Sequence, residues 1–169
     1  DGTNTDTRLA HSLDTKYMGD GAAVTIVQFK HASGNRTTEA KIWYHHGPAR
    51  VASYSAALNR IQNQIASRFY ADVYLMGHVT QLATYKTPFI DYRVSPKGGI
   101  VWQERTRVIA LTGGFSKAYE LGTKNPFGMP AAGYVEKGMM APTSLGAIQL
   151  YIRPRLKSGY MSVDIDVLT

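Results

Sequence analysis

Five histidines offer the chain's best chance of chemistry, and three of them share a setting. His45 and His46 stand in the run WYHHG, and His78 stands in ADVYLMGH, each at the point where a β-rich run gives way to glycine. Imidazole nitrogen suits zinc, manganese or iron, so two such loops converging at one sheet edge point to a divalent metal. His11 and His31 have no comparable setting. Each of the three is also open to the ordinary reading of a structural or solvent-exposed histidine. There is no GxSxG elbow, no phosphate-binding P-loop, no HExxH and no GxGxxG. The chain has no cysteine, so thiolate zinc sites, disulfide scaffolds and cysteine nucleophiles are excluded.

The elements that must position these histidines follow from periodicity. AAVTIVQFKH and TTEAKIWYHH are β-rich runs separated by a Gly34-Asn35 turn signal, which predicts a hairpin over residues 22–46. From Val51 to Phe69 apolar residues recur at Tyr54, Ala57, Leu58, Ile61, Ile65 and Phe69, the spacing of an amphipathic helix. ADVYLMG then reads as a short strand. Strand, helix and strand in that order form a βαβ unit with parallel strands, so the His-His-Gly and Gly-His loops fall at the same edge. That edge is where open α/β sheets hold ligands.

Upstream, TDTRLAHSL reads as a short helix behind possible caps Thr5 and Asp6. Downstream the pattern changes to short β-rich pieces, QLATYKT, GIVWQE, TRVIALTGG, GAIQLYIRP and YMSVDIDVL, with a Gly/Pro-rich connection over residues 122–144 and a possible helical turn over 115–121. These predict a mostly antiparallel sheet packed on the first. The expected fold class is therefore α/β (α+β), with 1–169 as a single unit.

The acids add little: Asp72, Asp91, Asp164 and Asp166 read as solvent-facing carboxylates. Arg50 follows the His-His-Gly loop closely enough to face a bound phosphate, and reads equally as a surface arginine. The net charge of +7 suggests attraction to polyanions, with Arg153, Arg155 and Lys157 as the densest basic cluster. A solvated surface is the ordinary reading of that cluster, and a nucleic-acid-binding module the sharper one. No apolar run approaches the roughly 18 residues of a membrane span, and DGTNTDTRLAH lacks the charged-then-apolar layout of a signal peptide; the chain reads as soluble, and the cytoplasm is its expected location. The sequence opens on Asp1, which suggests processing or a beginning that lies upstream.

The order strand, HHG, amphipathic helix, ADVYLMGH, then LTGGF and YVEKGMMAPTSLGAIQLYIRP resembles the C-terminal part of calcineurin-like metallophosphoesterases, in particular a subgroup of tailed phages and prokaryotes. The resemblance runs over most of the chain. It implies a β-sandwich flanked by helices, of which this chain is the C-terminal half, and metal-dependent hydrolysis of phosphate esters, nucleic acid among them. It also implies that His46, with His45 as the alternative, and His78 as the first histidine of a GHxH motif serve one divalent metal, manganese, iron or zinc. The second histidine of that motif corresponds to Thr80, whose neutral hydroxyl is a poor ligand for a transition metal.

The DxH, GDxxD and GNHE motifs that precede this region in the family are not in the sequence, and GTNTDTRLAHSLDTKYMGDGAAVTIVQF resembles the stretch that follows them. The resemblance thus implies a chain inactive alone, completed by an N-terminal half or partner chain. The alternative it leaves open is a non-catalytic structural or binding module of the same descent, a phage virion component in the host cytoplasm or the particle.

Overall fold

The computed structural model describes residues 5–14, 16, 21–47, 53–79, 81–95, 98–114, 145–157 and 160–169, together with residues 119, 122, 124, 126–128, 137 and 139. The chain is mixed α/β. A short helix α1 (Thr5–Ser12) precedes the hairpin of β1 (Ala22–Lys30) and β2 (Thr37–His45). Next come α2 (Tyr54–Arg60), continued by a π-helical turn (Ile61–Ile65), and the short strand β3 (Val73–Met76). Two long strands follow, β4 (Leu82–Val94) and β5 (Ile100–Thr112), and then β6 (Gln149–Lys157) and β7 (Tyr160–Leu168).

Among the described residues five strands make one sheet in the order β1-β2-β3-β5-β4, and β6-β7 form a separate two-stranded sheet. β3 lies between β2 and β5 and runs parallel to both, while β1 and β4 close the edges antiparallel to their neighbours. A strand buried on both faces reads as a continuous apolar run, which is what VYLM is. Alternate residues of the central strands therefore feed two cores. Trp43, Tyr74, Met76, Ile109 and Leu111 pack under Ala57, Ile61 and Ala66 of the helical segment. Ala40, Val73, Val108 and Ala110 pack against Val163, Ile165 and Val167 of β7. The predicted βαβ unit and its parallel register are both present.

Three expectations need correction. The helix predicted over Val51–Phe69 spans Tyr54–Ile65 among the described residues, and Tyr54 and Phe69, expected on its apolar face, are exposed. Ser53 opens the helix, its hydroxyl accepting from the Ala56 amide at 3.2 Å. GIVWQE and TRVIALT are one strand, and QLATYKT continues through Pro88 to Val94. Pro88 is tolerated because β4 is an edge strand, where a missing amide hydrogen leaves no neighbour unpaired. Finally, β4 and β5 extend the first sheet, so among the described strands only β6 and β7 form the layer packed on it. The connection over 122–144 and the possible turn over 115–121 lie largely outside the described residues. No helix among the described residues is long and apolar enough to cross a membrane.

Candidate functional site

Register decides which histidines meet. β2 and β3 pair parallel, with Tyr44 opposite Leu75 and His45 opposite Met76, so both strands release their chains at the same edge. The amide of Gly77 donates to the carbonyl of His45 at 3.0 Å, carrying the pairing one residue beyond β3. Past that point the two loops run so close that a side chain between them is impossible. Gly47 has φ of 101°, and a Cβ placed on it would stand 2.4 Å from the Gly77 carbonyl oxygen. Only glycine accepts both that conformation and that contact.

The turn after β3 then aims His78 back across the gap. Its φ of 57° is in the left-handed region, which histidine visits more readily than most residues. The outcome is an imidazole pair: Nδ1 of His78 lies 2.8 Å from Nε2 of His46, with ring centroids 4.7 Å apart and planes at 62°. Both rings are exposed to solvent. In neutral imidazoles one of those nitrogens donates and the other accepts. Two nitrogens around a tetrahedral metal, each at about 2.1 Å from it, are separated by roughly 3.3 Å, so a small rotation of the rings would admit a cation between them.

His45 is occupied elsewhere. Its Nδ1 accepts the Gly47 amide hydrogen at 2.7 Å, and its ring stacks on Trp43 at 5.8 Å and 12°. It braces the loop that presents its neighbour, so of the two histidines left open by the sequence it is His46 that reaches His78. Among the described residues no third histidine, aspartate or glutamate joins the pair to make a set of three ligands. Arg50 and Thr80, the other two site residues expected from the sequence, lie outside the described residues.

A second polar cluster escaped the sequence reading and sits at the opposite edge of the sheet. Asp72, expected to face solvent, is 1% exposed. Its Oδ2 accepts the Lys41 amide at 2.9 Å and its Oδ1 lies 2.6 Å from Nη2 of Arg105. Arg105 also donates to the Glu39 carbonyl at 3.2 Å and stands 3.5 Å from Asp91. With Glu39, Lys41, Tyr70 and Asp91 these groups line an open cavity of about 350 Å³. Burial raises the Asp72 carboxyl above the usual carboxylate range, against the pull of the Lys41 amide and of Arg105. Burial likewise pushes the Tyr70 phenol up to about 12, so it stays protonated beside Asp91. Each charge here is matched by a neighbour, and the backbone of Asp72 bonds to Lys41 and Val108 at 2.9 and 2.8 Å. The cluster ties β2, β3, β4 and β5 together. A signal for it was present: an aspartate directly before an apolar strand, with an arginine inside another, is a charge pair awaiting burial.

Asp164 and Asp166 are half-exposed as expected, and they answer the basic cluster. Arg153 and Arg155 pair with Asp166 and Asp164 at 3.1 and 2.8 Å, and Lys86 reaches Asp166 at 2.9 Å. Hydrogen bonding from Lys86 holds the Asp166 carboxyl below its ordinary value. Two of the three cations expected to attract polyanions are thus paired in place. No family model matches the chain, and neither a curated protein nor a solved structure matches it.

Proposed function

We propose that this chain supplies the two-imidazole part of a metal-dependent phosphoesterase centre, as its resemblance to the C-terminal part of calcineurin-like metallophosphoesterases implies, and that the centre hydrolyses a phosphate ester once carboxylate ligands from beyond the described residues complete it. The single observation that carries the reading is the 2.8 Å approach of His46 and His78 at the C-terminal edge of two parallel strands. The parallel strands that build the core release both loops at one edge, and the glycine at 47 and the left-handed His78 serve the approach itself.

The residues present fit a divalent metal as two of its ligands. A metal bound there lowers the pKa of a coordinated water and offsets charge on the phosphate oxygens during in-line displacement. His46 and His78 would hold such a cation at the mouth of the sheet by their ring nitrogens, and both residues are open to solvent, where water and substrate could reach it. His45 fixes the loop by its bond to the Gly47 amide, the kind of supporting contact on which ligand geometry depends.

Co-expression of the chain with whatever segment its gene encodes upstream, followed by assay of p-nitrophenyl phosphate and bis-p-nitrophenyl phosphate with Mn²⁺, tests this reading. Activity that disappears in His46→Ala and in His78→Ala supports it. An upstream segment without GDxxD and GNHE motifs, together with a chain that takes up no metal, overturns it. One observation favours a second reading, a non-catalytic binding or structural module, virion assembly included. Thr80 stands where the resembled family has the second histidine of GHxH, in a sequence that also has no DxH, GDxxD or GNHE motif. Stoichiometric manganese, iron or zinc in the purified protein counts against that module.

A further inference from the structure

The outer halves of β4 and β5 form a two-stranded arm with an uncovered apolar face. Partners in an antiparallel ladder share a face, so the pairs Ile90 with Glu104, Tyr92 with Trp102 and Val94 with Ile100 put six side chains on one side. Five of them are large and apolar, and all five are exposed: Ile90, Tyr92, Val94, Ile100 and Trp102, the last at 68% and Val94 at 77%. The rings of Tyr92 and Trp102 meet edge to face at 5.2 Å, fixing the centre of the patch. With aromatic side chains contributing roughly 150–250 Å² each before partial burial, the five expose on the order of 500 Å². That is at the upper end of what a monomeric protein shows in one patch.

Charge narrows the occupant. The arm's arginines are on the other face by register and are engaged there: Arg93 lies over the Tyr160 ring, Arg105 against Asp72, Arg107 over Phe89. Lys86, further along the apolar side, is held by Asp166. The one Asp, Glu, Lys, Arg or His among the six is Glu104, an acidic residue. A nucleic acid or an anionic lipid surface therefore meets no free cation among these residues, although the chain as a whole carries +7.

We infer that this face is the contact between two copies of the chain, packed about a two-fold axis through the Tyr92–Trp102 pair. Two such faces bury about 1,000 Å² between them, the minimum for a biological interface and the size of a weak one. An isologous contact needs a self-complementary surface, and a ladder of matched apolar pairs is one. With the axis through Trp102, the two Glu104 side chains fall on opposite sides, each two residues or about 7 Å along the strand, so they stay roughly 14 Å apart. The arm lies at the end of the sheet away from the histidine loops, so the inference is independent of the proposed function.

Sedimentation velocity of the whole chain from micromolar to near-millimolar concentration tests it, with Val94→Lys and the double variant Tyr92→Ser, Trp102→Ser beside the unmodified protein. The unmodified chain is expected to pass from monomer to dimer, with Trp102 emission shifting to the blue as it does so. Either variant is expected to weaken the dimer at least about thirtyfold, since the double variant removes the centre of the interface and Val94→Lys places a charge beside it. These side chains are exposed in the monomer, so unchanged circular dichroism and Tm confirm that folding is intact. An unmodified chain that stays monomeric throughout, including one that binds vesicles instead, overturns the inference, as does a Val94→Lys variant that dimerises equally well.

Discussion

Gly47 and Gly77 touch, backbone to backbone, where the loops after β2 and β3 pass each other, and a Cβ on Gly47 would stand 2.4 Å from the Gly77 carbonyl oxygen. The contact brings the chain's two histidine loops together. Gly47→Ala should therefore cost about 1–3 kcal/mol, since it combines a disfavoured φ of 101° with a clash against backbone. Chemical denaturation measures that loss. Metal affinity should fall by at least tenfold in the same variant, because His46 follows its loop.

Asp72 makes a prediction about pH with an unusual sign. Burial raises its folded-state carboxyl above the ordinary value, so the folded chain holds that proton more tightly than the unfolded one. The stabilisation linked to that proton is then full at low pH and is lost as pH rises through the raised value, while the contacts of the side chain with the Lys41 amide and Arg105 remain. Thermal unfolding of the unmodified chain and Asp72→Asn should show a difference that grows on acidification from neutral pH toward the ordinary carboxylate range. A difference that shrinks contradicts the account. Asp166, held down by Lys86, has the opposite sign.

At neutral pH, Asp72→Ala should be severe. It leaves Arg105, whose side chain is 15% exposed, without its carboxylate, and it frees the Lys41 amide. Breaking one side of a buried pair costs about 3–5 kcal/mol. Denaturant midpoints for Asp72→Ala, Arg105→Met and the double variant measure the coupling, and the double variant should recover part of the loss.

Tyr74→Phe tests a smaller joint. The buried phenol donates to the Phe69 carbonyl and accepts the Ala71 amide at 2.9 Å, closing the turn between the helical segment and β3. Removing the hydroxyl should cost about 1–3 kcal/mol, with two backbone groups left unmatched. Ile61→Ala, which empties a fully buried site beneath the helix, should cost about 2–5 kcal/mol.

The βαβ unit was legible because its signals are local. The β-branched and aromatic residues of KIWYHH, the 3.6-residue period of Ala57, Leu58, Ile61 and Ile65, and the apolar run VYLM each name an element, and the order strand, helix, strand leaves a parallel pairing. The His46–His78 approach followed as soon as the strands were parallel. What was misread depends on partners distant in sequence. Arg105 looks like a break between two strands, but its polarity reflects an arm that leaves the core and a side chain that meets Asp72 across the sheet. Asp72 reads as solvent-facing until Arg105, thirty-three positions on, is known to cover it. Pro88 reads as a strand end until β4 is known to be an edge. The choice between His45 and His46 turned on a 2.7 Å bond from the Gly47 amide, which no spacing in the sequence announces.

The central claim is that His46 and His78 together hold a divalent cation while His45 only braces the loop. Calorimetric titration of the chain with Zn²⁺ and with Mn²⁺, repeated for His45→Ala, His46→Ala and His78→Ala, tests it most directly. The account predicts one site on the unmodified chain, lost in both His46→Ala and His78→Ala, and weakened by about 10–100-fold in His45→Ala, the usual cost of removing a supporting contact. A site that survives in His46→Ala or in His78→Ala, or a chain that binds neither metal, would contradict it.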